Sequence, residues 1–493
     1  MNFKKFFNES ANYKLDDFSE KWSKAISESE ELRVALELMQ LIQTRFPNKE
    51  IYIVGGVPRD LLMGNKIDDV DLATNIPFES LETHFDLRNI SKNDSQPVYS
   101  ILFKGYSFDL AKFRKDSQSE AGRQNNISTE IDSFEEDTKR RDLTINSFGI
   151  DYQGRIVDYQ NGLEDLKNKI IRTVGNPKER FMEDATRILR VFRFAGKMGF
   201  DIDKHTEQAA IELKHILQDR NLISVESISK EFYKAAKTGP SLSNFLIKLQ
   251  NTKILHDILP EFTTMEGFTH NPKHHPEGGS TVLGHILECL KVSPFHDPVI
   301  NLAILFHDFG KAVTRGEKAG HSTYYGHEAA GVPIVENIFE RLKFSELSAG
   351  DKKAILDAVD KHMLVHKLDE LNLKTLSKLI LSPSWNVIKS VGYCDEASRG
   401  EGLFNKQEFE EKIQRAENKV SSVGGSNENA MKSIIKKYVD GNKVLSWFPQ
   451  LNKDKPKIKV ALSAAEEYVF SKLEAGEEPN EPELKAAISN RIL

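Results

Sequence analysis

Residues 51–72 read IYIVGGVPRDLLMGNKIDDVDL, and the fold turns on how this stretch divides. The apolar run 51–54 stops at Gly55-Gly56, the pattern of a strand closing into a tight turn. Val57-Pro58-Arg59-Asp60 follow, so a helix is expected there with Pro58 in its first turn, where a missing amide costs nothing. Its free N–H groups and Arg59 would face an anion such as a triphosphate. Asp69-Val70-Asp71-Leu72 then alternates as a strand does, sending both carboxylates to one face and both apolar side chains to the other. Two such carboxylates can share magnesium ions about 4 Å apart, the arrangement used in phosphoryl transfer.

Spacing alone does not decide the matter. Asp201-Ile202-Asp203 has the same spacing, but precedes KHTEQAAIEL, where capping a helix explains it. Each part of 51–72 also fits an ordinary strand-turn-helix corner. The conjunction of glycine turn, arginine and same-face acids points to a metal-dependent nucleotide-transferring site. Asp109, in YSFDLAKFR, is a third candidate carboxylate, and reads equally well as an exposed strand-edge acid.

Working outward, ELRVALELMQLIQTRF before the strand has helical periodicity, and VYSILF and YSFDLAKF after it read as strands. The polar tract from Lys115 to Lys139 reads as a mobile loop. From about Arg180 helical patterns dominate, beginning with FMEDATRILRVFRFAGKMGF, so an α/β first part precedes a mostly α remainder. Breaks fall at Thr238-Gly239-Pro240, 271–279 and 421–426. The 493 residues suggest about three domains. A 39% apolar fraction and 29% charged residues exclude global disorder. No apolar stretch is long enough to span a bilayer and the start is too polar for a signal peptide, so no membrane association and a cytoplasmic location are expected. Two cysteines, Cys289 and Cys394, exclude a disulfide framework and a four-thiolate zinc site. With 68 Lys+Arg against 74 Asp+Glu the net charge is -6, which argues against nonspecific coating of nucleic acid.

In EDATRILRVFRF, Arg187, Arg190 and Arg193 recur every third residue, while Leu189, Val191, Phe192, Phe194 and Ala195 supply an apolar face. Asp184 and Arg187 are one turn apart and could present an acceptor beside donors to the edge of a base. Arg190 and Arg193 could hold phosphates or buttress that pair. A solvated face of ion pairs is the plainer alternative, weakened by the exclusive use of arginine. Arg140-Arg141-Asp142 is a further basic pair that also fits a surface turn.

Taken together, IYIVGGVPRDLLMGNKIDDVDLAT, RRDLTINSFGID, IVDYQNGLEDLKNKIIRTVGNP and RFMEDATRILRVFRFAGKMGFDID resemble the class II nucleotidyltransferases, the family of bacterial CCA-adding enzymes and poly(A) polymerases. The resemblance covers roughly residues 50 to 265. It implies a polymerase β-like head in which Asp69 and Asp71, with Asp109, carry the catalytic Mg²⁺. Gly55, Gly56, Arg59 and Arg141 would contact the incoming nucleotide. Asp184 and Arg187 would read CTP and ATP, with Arg190 and Arg193 completing the motif. The family usually has valine where this chain has Pro58, and the fold is expected to tolerate the change.

His307-Asp308 ends the apolar run NLAILF and is followed by Phe-Gly-Lys, putting two metal-capable side chains at the wall of a buried helix. With His285, His327, His362 and Asp395, this order resembles the HD phosphohydrolase domain. That resemblance implies a divalent metal (Ni²⁺, Mn²⁺, Co²⁺ or Mg²⁺), phosphatase or 2′,3′-cyclic phosphodiesterase activity, and His275 as a pocket residue.

The expected fold class is α+β: a helical extension (1–50), a nucleotidyltransferase head (51–175), a helical neck and body (176–265), an all-α HD domain (266–400) and a helical tail (401–493). The expected function is addition of C, C and A to tRNA from CTP and ATP. Poly(A) or A-only addition, an HD hydrolase with a degenerate RNA-binding head, and a noncatalytic RNA-binding factor are the alternatives. The sequence leaves the oligomeric state open.

Overall fold

The computed structural model describes residues 15–67, 69–91, 97–117, 127–269, 281–318, 321–399, 402–422, 435–452 and 454–492. Two compact units emerge, one from residues 1–231 with 244–258, the other from 232–243 with 259–493. The first carries a mixed seven-stranded sheet and the second is mostly helical, an α+β arrangement.

In the first unit the strands include β1 (Ile51–Val54), β2 (Asp71–Thr74), β3 (Asp86–Asn89), β4 (Val98–Phe103), β5 (Tyr106–Lys112), β6 (Arg114–Ser117), β7 (Ile127–Glu130), β8 (Gly149–Ile150) and β9 (Ile156–Val157), with a separate short parallel pair, Ile170–Ile171 and Asp201–Ile202. The main sheet runs β3-β4-β5-β2-β1-β8-β9. β1 pairs antiparallel with β2 and β8, while β2 and β5 are parallel. The helix Glu30–Arg45 buries Leu32, Ala35, Leu38, Met39 and Ile42, the repeat of an amphipathic face, and contacts β1 and β5.

The tract from Lys115 to Lys139 is not simply a loop. β6 and β7 pair antiparallel, with Arg114 opposite Glu130, and a short helix, Phe134–Thr138, follows. A two-stranded ladder is held by backbone pairing, so no apolar alternation announced it. Residues 118–126 lie outside the described residues, as do 271–279 and His275. Phe134 anchors the segment: its ring stacks on Tyr52 with centroids 4.2 Å apart and meets Phe113 at 5.5 Å.

The arginine-bearing run also divides. Helix Pro177–Glu183 ends at Asp184, whose backbone is extended (φ -151, ψ 103), and a second helix runs Thr186–Met198. Asp203 caps the next helix by accepting the Thr206 N–H, as its position in the sequence implied.

The second unit builds its centre from helices Val282–Lys291, Pro298–Phe306, His327–Leu342, Ala349–Val365 and Trp385–Ala397. Its last helices share an apolar cluster that includes Val444, Leu451, Ala465, Val469, Leu484 and Ile488. Among the described residues no helix is long and apolar enough to cross a membrane.

Phe134→Ala should remove the anchor of the 127–138 segment and cost about 3–5 kcal/mol. Urea unfolding followed by tryptophan fluorescence measures this; a change below about 1 kcal/mol would show that the segment does not depend on that ring.

Candidate functional site

The register that sets Val54 opposite Asp71 brings the acid to the glycine turn. Gly55 has φ +76, and a Cβ there would lie 2.9 Å from Asp71 Oδ2, so both backbone and space demand glycine. Gly56 starts helix Val57–Met63, with Pro58 buried in its first turn and the helix intact.

Asp69 corrects the strand reading. β2 begins at Asp71, and Asp69 sits before it in a left-handed conformation with φ 54. Strand alternation therefore does not align the two acids; a local kink does. Asp109 lies on β5, whose next residue Leu110 pairs with Leu72 of β2. Burial, then the Asp109 and Asp69 carboxylates, push the Asp71 carboxyl up to about 6, and Arg141 draws it down only in part. Asp69 and Asp109 are exposed and their charges reach Asp71, although among the described residues the three do not gather their oxygens within 4.8 Å of one another. Carboxylates in such a cradle are the donor type that hard divalent cations take.

The arginines are ordered by partners that the sequence did not reveal. Arg59 is buried; it donates from Nε and Nη2 to the Asp60 carboxylate and from Nη1 to Asn146 Oδ1 at 2.6 Å. Arg140 and Arg141 lie in a turn, as one reading had it, but their side chains are half-buried rather than solvated. They clamp the fully buried Asp137, Arg140 on one oxygen at 2.7 Å and Arg141 on the other at 3.0 Å. Burial would raise the Asp137 carboxyl, but the two guanidinium groups hold it below its ordinary value.

Arg190 pairs with Asp142 and Arg193 with the buried Glu231, so Arg193 is not part of an open ridge. Asp184 and Arg187 do not share a helix. Asp184 Oδ1 accepts the Thr186 N–H at 2.9 Å, and its charge contributes to raising Arg190. Arg187 donates to Glu183 Oε2 at 2.7 Å and to the Arg180 and Arg140 carbonyls. Its Nε–H and one Nη2–H have no recorded partner among the described residues, leaving one donor edge of the guanidinium. The Arg59, Arg190 and Arg193 guanidinium carbons lie 5.3, 5.7 and 4.3 Å from the Phe194 ring centre.

The second unit assembles the other expected residues. His307, His327 and His362 each place Nδ1 against the carbonyl three residues back, of Ile304, Tyr324 and Val359, at 2.7, 2.9 and 3.0 Å. His285 Nδ1 meets Ser398 Oγ at 3.2 Å. Each ring thus turns Nε2 inward. Asp308 stands between them, Oδ1 3.3 Å from His327 Nε2 and Oδ2 3.4 Å from His307 Nε2. Asp395 Oδ1 is 2.9 Å from His285 Nε2. Gly310 lets the chain pass close: a Cβ there would lie 1.8 Å from the His327 carbonyl oxygen.

Two observations fit this cluster to a cation. The His307 Nε2 is buried without a hydrogen-bond partner, and the Nε2 atoms of His327 and His362 face each other at 3.3 Å. With each Nδ1–H given to a carbonyl, those facing nitrogens both offer lone pairs, which an ion can satisfy. Burial, then the charge of His307, drop His362 to about 3, the neutral form a metal ligand needs.

Lys311 and His366 were not singled out in the sequence. Lys311 is buried and 2.6 Å from Asp308 Oδ2; its signal was the His-Asp-Phe-Gly-Lys spacing. His366 holds Asp395 Oδ2 at 2.6 Å and Glu396 at 3.0 Å, and despite burial these acids raise it to about 9.

A family model described as the poly A polymerase head domain matches residues 51–172. The CCA-adding enzyme of Lactobacillus helveticus is 37% identical over 230 residues, 46% of this chain and 56% of that protein. That of a Geobacillus species is 38% identical over 224 residues, 45% and 54% of the two chains. The chain spans about half the length of the curated relatives it matches. Among solved structures, the Bacillus stearothermophilus CCA-adding enzyme in complex with CTP matches with TM-score 0.64 at 24% identity, over 94% of this chain and 98% of that one. The Thermotoga maritima CCA-adding enzyme complexed with tRNA matches with TM-score 0.53 at 16% identity, over 97% and 99%. The fold is the one shared by these structures.

A proton on Asp71 competes with any cation in the cradle. In an Asp308→Asn background, calorimetric Mg²⁺ affinity at the head should be level above about pH 6 and fall up to about tenfold per unit below it. Without metal the sign reverses: between the ordinary value of 3.8 and about 6 the folded head binds more protons than the unfolded chain, so stability increases as pH falls. Affinity independent of pH across this window would show that Asp71 is not a ligand.

Proposed function

We propose that the chain is a CCA-adding tRNA nucleotidyltransferase, extending a tRNA 3′ end with C, C and A from CTP and ATP. The observation that carries this reading is the three-carboxylate cradle at the glycine turn, with Asp71 raised to about 6, in a head similar to poly A polymerase heads. Asp69, Asp71 and Asp109 would hold Mg²⁺, which when bound neutralises the triphosphate and polarises the attacking hydroxyl. The amide end of helix Val57–Met63, reached through Gly55 and Gly56, faces phosphate oxygens. The tRNA 3′ oxygen attacks the α-phosphorus, the bond to the bridging oxygen breaks, and pyrophosphate leaves.

Base choice falls to Arg187 and Asp184. The unpartnered Nε–H and Nη2–H edge of Arg187 donates to base acceptors, and Asp184 accepts from an exocyclic amine, a group that both cytosine and adenine carry. Arg59, Arg141, Arg190 and Arg193 keep the pocket wall in place through their ion pairs. No nucleic-acid template is required for this selection.

The second cluster reads as an HD phosphohydrolase site with phosphatase or 2′,3′-cyclic phosphodiesterase activity. His285, His307, Asp308, His327, His362 and Asp395 would hold a divalent ion, which when bound activates water and polarises a phosphate ester. This activity would prepare a 3′ end that the head can extend.

The test supplies tRNA transcripts lacking three, two or one terminal nucleotides, with labelled CTP and ATP separately and together. Ordered addition of C, C and A is expected; long A tails would make the protein a poly(A) polymerase, and A on the last transcript alone an A-adding enzyme. Asp71→Asn should lower incorporation at least about 100-fold while sparing release of phosphate from 2′,3′-cyclic ends, and Asp308→Asn should do the reverse. No incorporation by the wild-type chain would overturn the proposal, and loss of both activities from either change would overturn separate sites.

A further inference from the structure

One donor in the second cluster is not accounted for by its histidines and aspartates. Cys289 follows His285 by four residues on helix Val282–Lys291 and therefore shares its face. It is fully buried, with Sγ 3.5 Å from His285 Nε2. The donor atoms of His285, Cys289, His307 and Asp395 lie within 4.8 Å of one another, and all four residues are buried.

The second observation is the buried His307 Nε2, which makes no hydrogen bond and stands 3.4 Å from Asp308 Oδ2. A ring locked in this orientation presents a nitrogen and a neighbouring carboxylate to the interior of the cluster. Its Nδ1 is committed to the Ile304 carbonyl, which leaves one nitrogen for one ion. His307 also falls in a group with Asp308 and His362, so an ion on its Nε2 would lie where the two sets meet.

We propose that Cys289 is a sulfur ligand of the ion held by His285, His307 and Asp395, and that it makes this site select a borderline transition metal over Mg²⁺. The inference rests on the reading of this cluster as a metal site.

The distances suit it. Zinc bonds of about 2.3 Å to sulfur and 2.0–2.1 Å to nitrogen at tetrahedral angles set the two donors ~3.5 Å apart. The measured separation is 3.5 Å. A thiolate and a carboxylate offer two negative charges to a divalent cation in this buried site, where Asp308 is paired with Lys311 and Asp395 is also held by His366. Soft sulfur and imidazole favour zinc, cobalt or iron, whereas the all-carboxylate cradle of the head favours Mg²⁺. One chain would then sort two metals by donor chemistry alone.

Cys394 provides the control. It is the other buried thiol, adjacent to Asp395 in sequence, but it belongs to neither metal-capable group.

The full chain, stripped with a chelator and reloaded with Co²⁺, should show a near-ultraviolet thiolate-to-cobalt charge-transfer band that excess Mg²⁺ does not remove. Cys394→Ser should keep the band. Cys289→Ser should lose it and bind Co²⁺ at least about 100-fold more weakly. X-ray absorption of the zinc-loaded wild-type chain does not depend on how the variant folds, and should show a sulfur neighbour at about 2.3 Å beside lighter atoms at about 2.0–2.1 Å. Zinc bound with no sulfur neighbour would overturn the role of Cys289 and leave the metal site standing. Failure to take up either ion would overturn both.

Discussion

The first unit depends on an electrostatic deficit at the end of β1. Pairing Val54 with Asp71 presses a carboxylate against Gly55, where any side chain would collide with it. Burial raises the Asp71 carboxyl most, and Asp109 and Asp69 add charge of the same sign that raises it further. Arg141, the cation that lowers it, is already committed to Asp137. Negative charge thus gathers beside the glycine turn while the nearby guanidinium groups are engaged by other carboxylates, which leaves the site favourable to cations from solution.

The arginines obey the complementary rule. Arg59, Arg141, Arg187, Arg190 and Arg193 each have a carboxylate partner, and three of them gather around Phe194. Ordering a free arginine on binding would cost up to about 2 kcal/mol of side-chain entropy. Here that cost is met on folding, which leaves a rigid wall rather than flexible charges. Phe194, which the helical pattern marks only as part of an apolar face, is the surface against which the wall is set.

Local features of the sequence were legible because local physics determines them. Ile51–Val54, the glycine turn, Pro58 in a first helical turn, the cap at Asp203 and the apolar face of Thr186–Met198 all follow from period, turn chemistry or capping. What escaped depends on burial or on partners far away in the chain. No pattern near Arg140 announces that Asp137 will be buried between two guanidinium groups, and none near Arg190 announces Asp142, forty-eight residues before it. The alternation at 69–72 suggested a strand that starts two residues too early. A left-handed Asp69 is a tertiary compromise, and the periodic pattern carries no trace of it.

The histidines show how little extra order turns such a pattern into a site. A helix, or the turn that leads into one, offers a carbonyl three residues back, so a histidine at a helix end or on an inner face needs only the right rotamer to reach it. His307, His327 and His362 all do so. The bond fixes the proton on Nδ1, and the same bond aims the Nε2 lone pair at the centre. Neutrality is then set by surroundings: burial and His307 keep His362 uncharged, whereas Asp308, offsetting burial, holds His307 above its ordinary value. Were the cluster to take up a cation, the ion would displace the extra proton of His307 and meet the facing nitrogens of His327 and His362, so uptake would be favoured as pH rises.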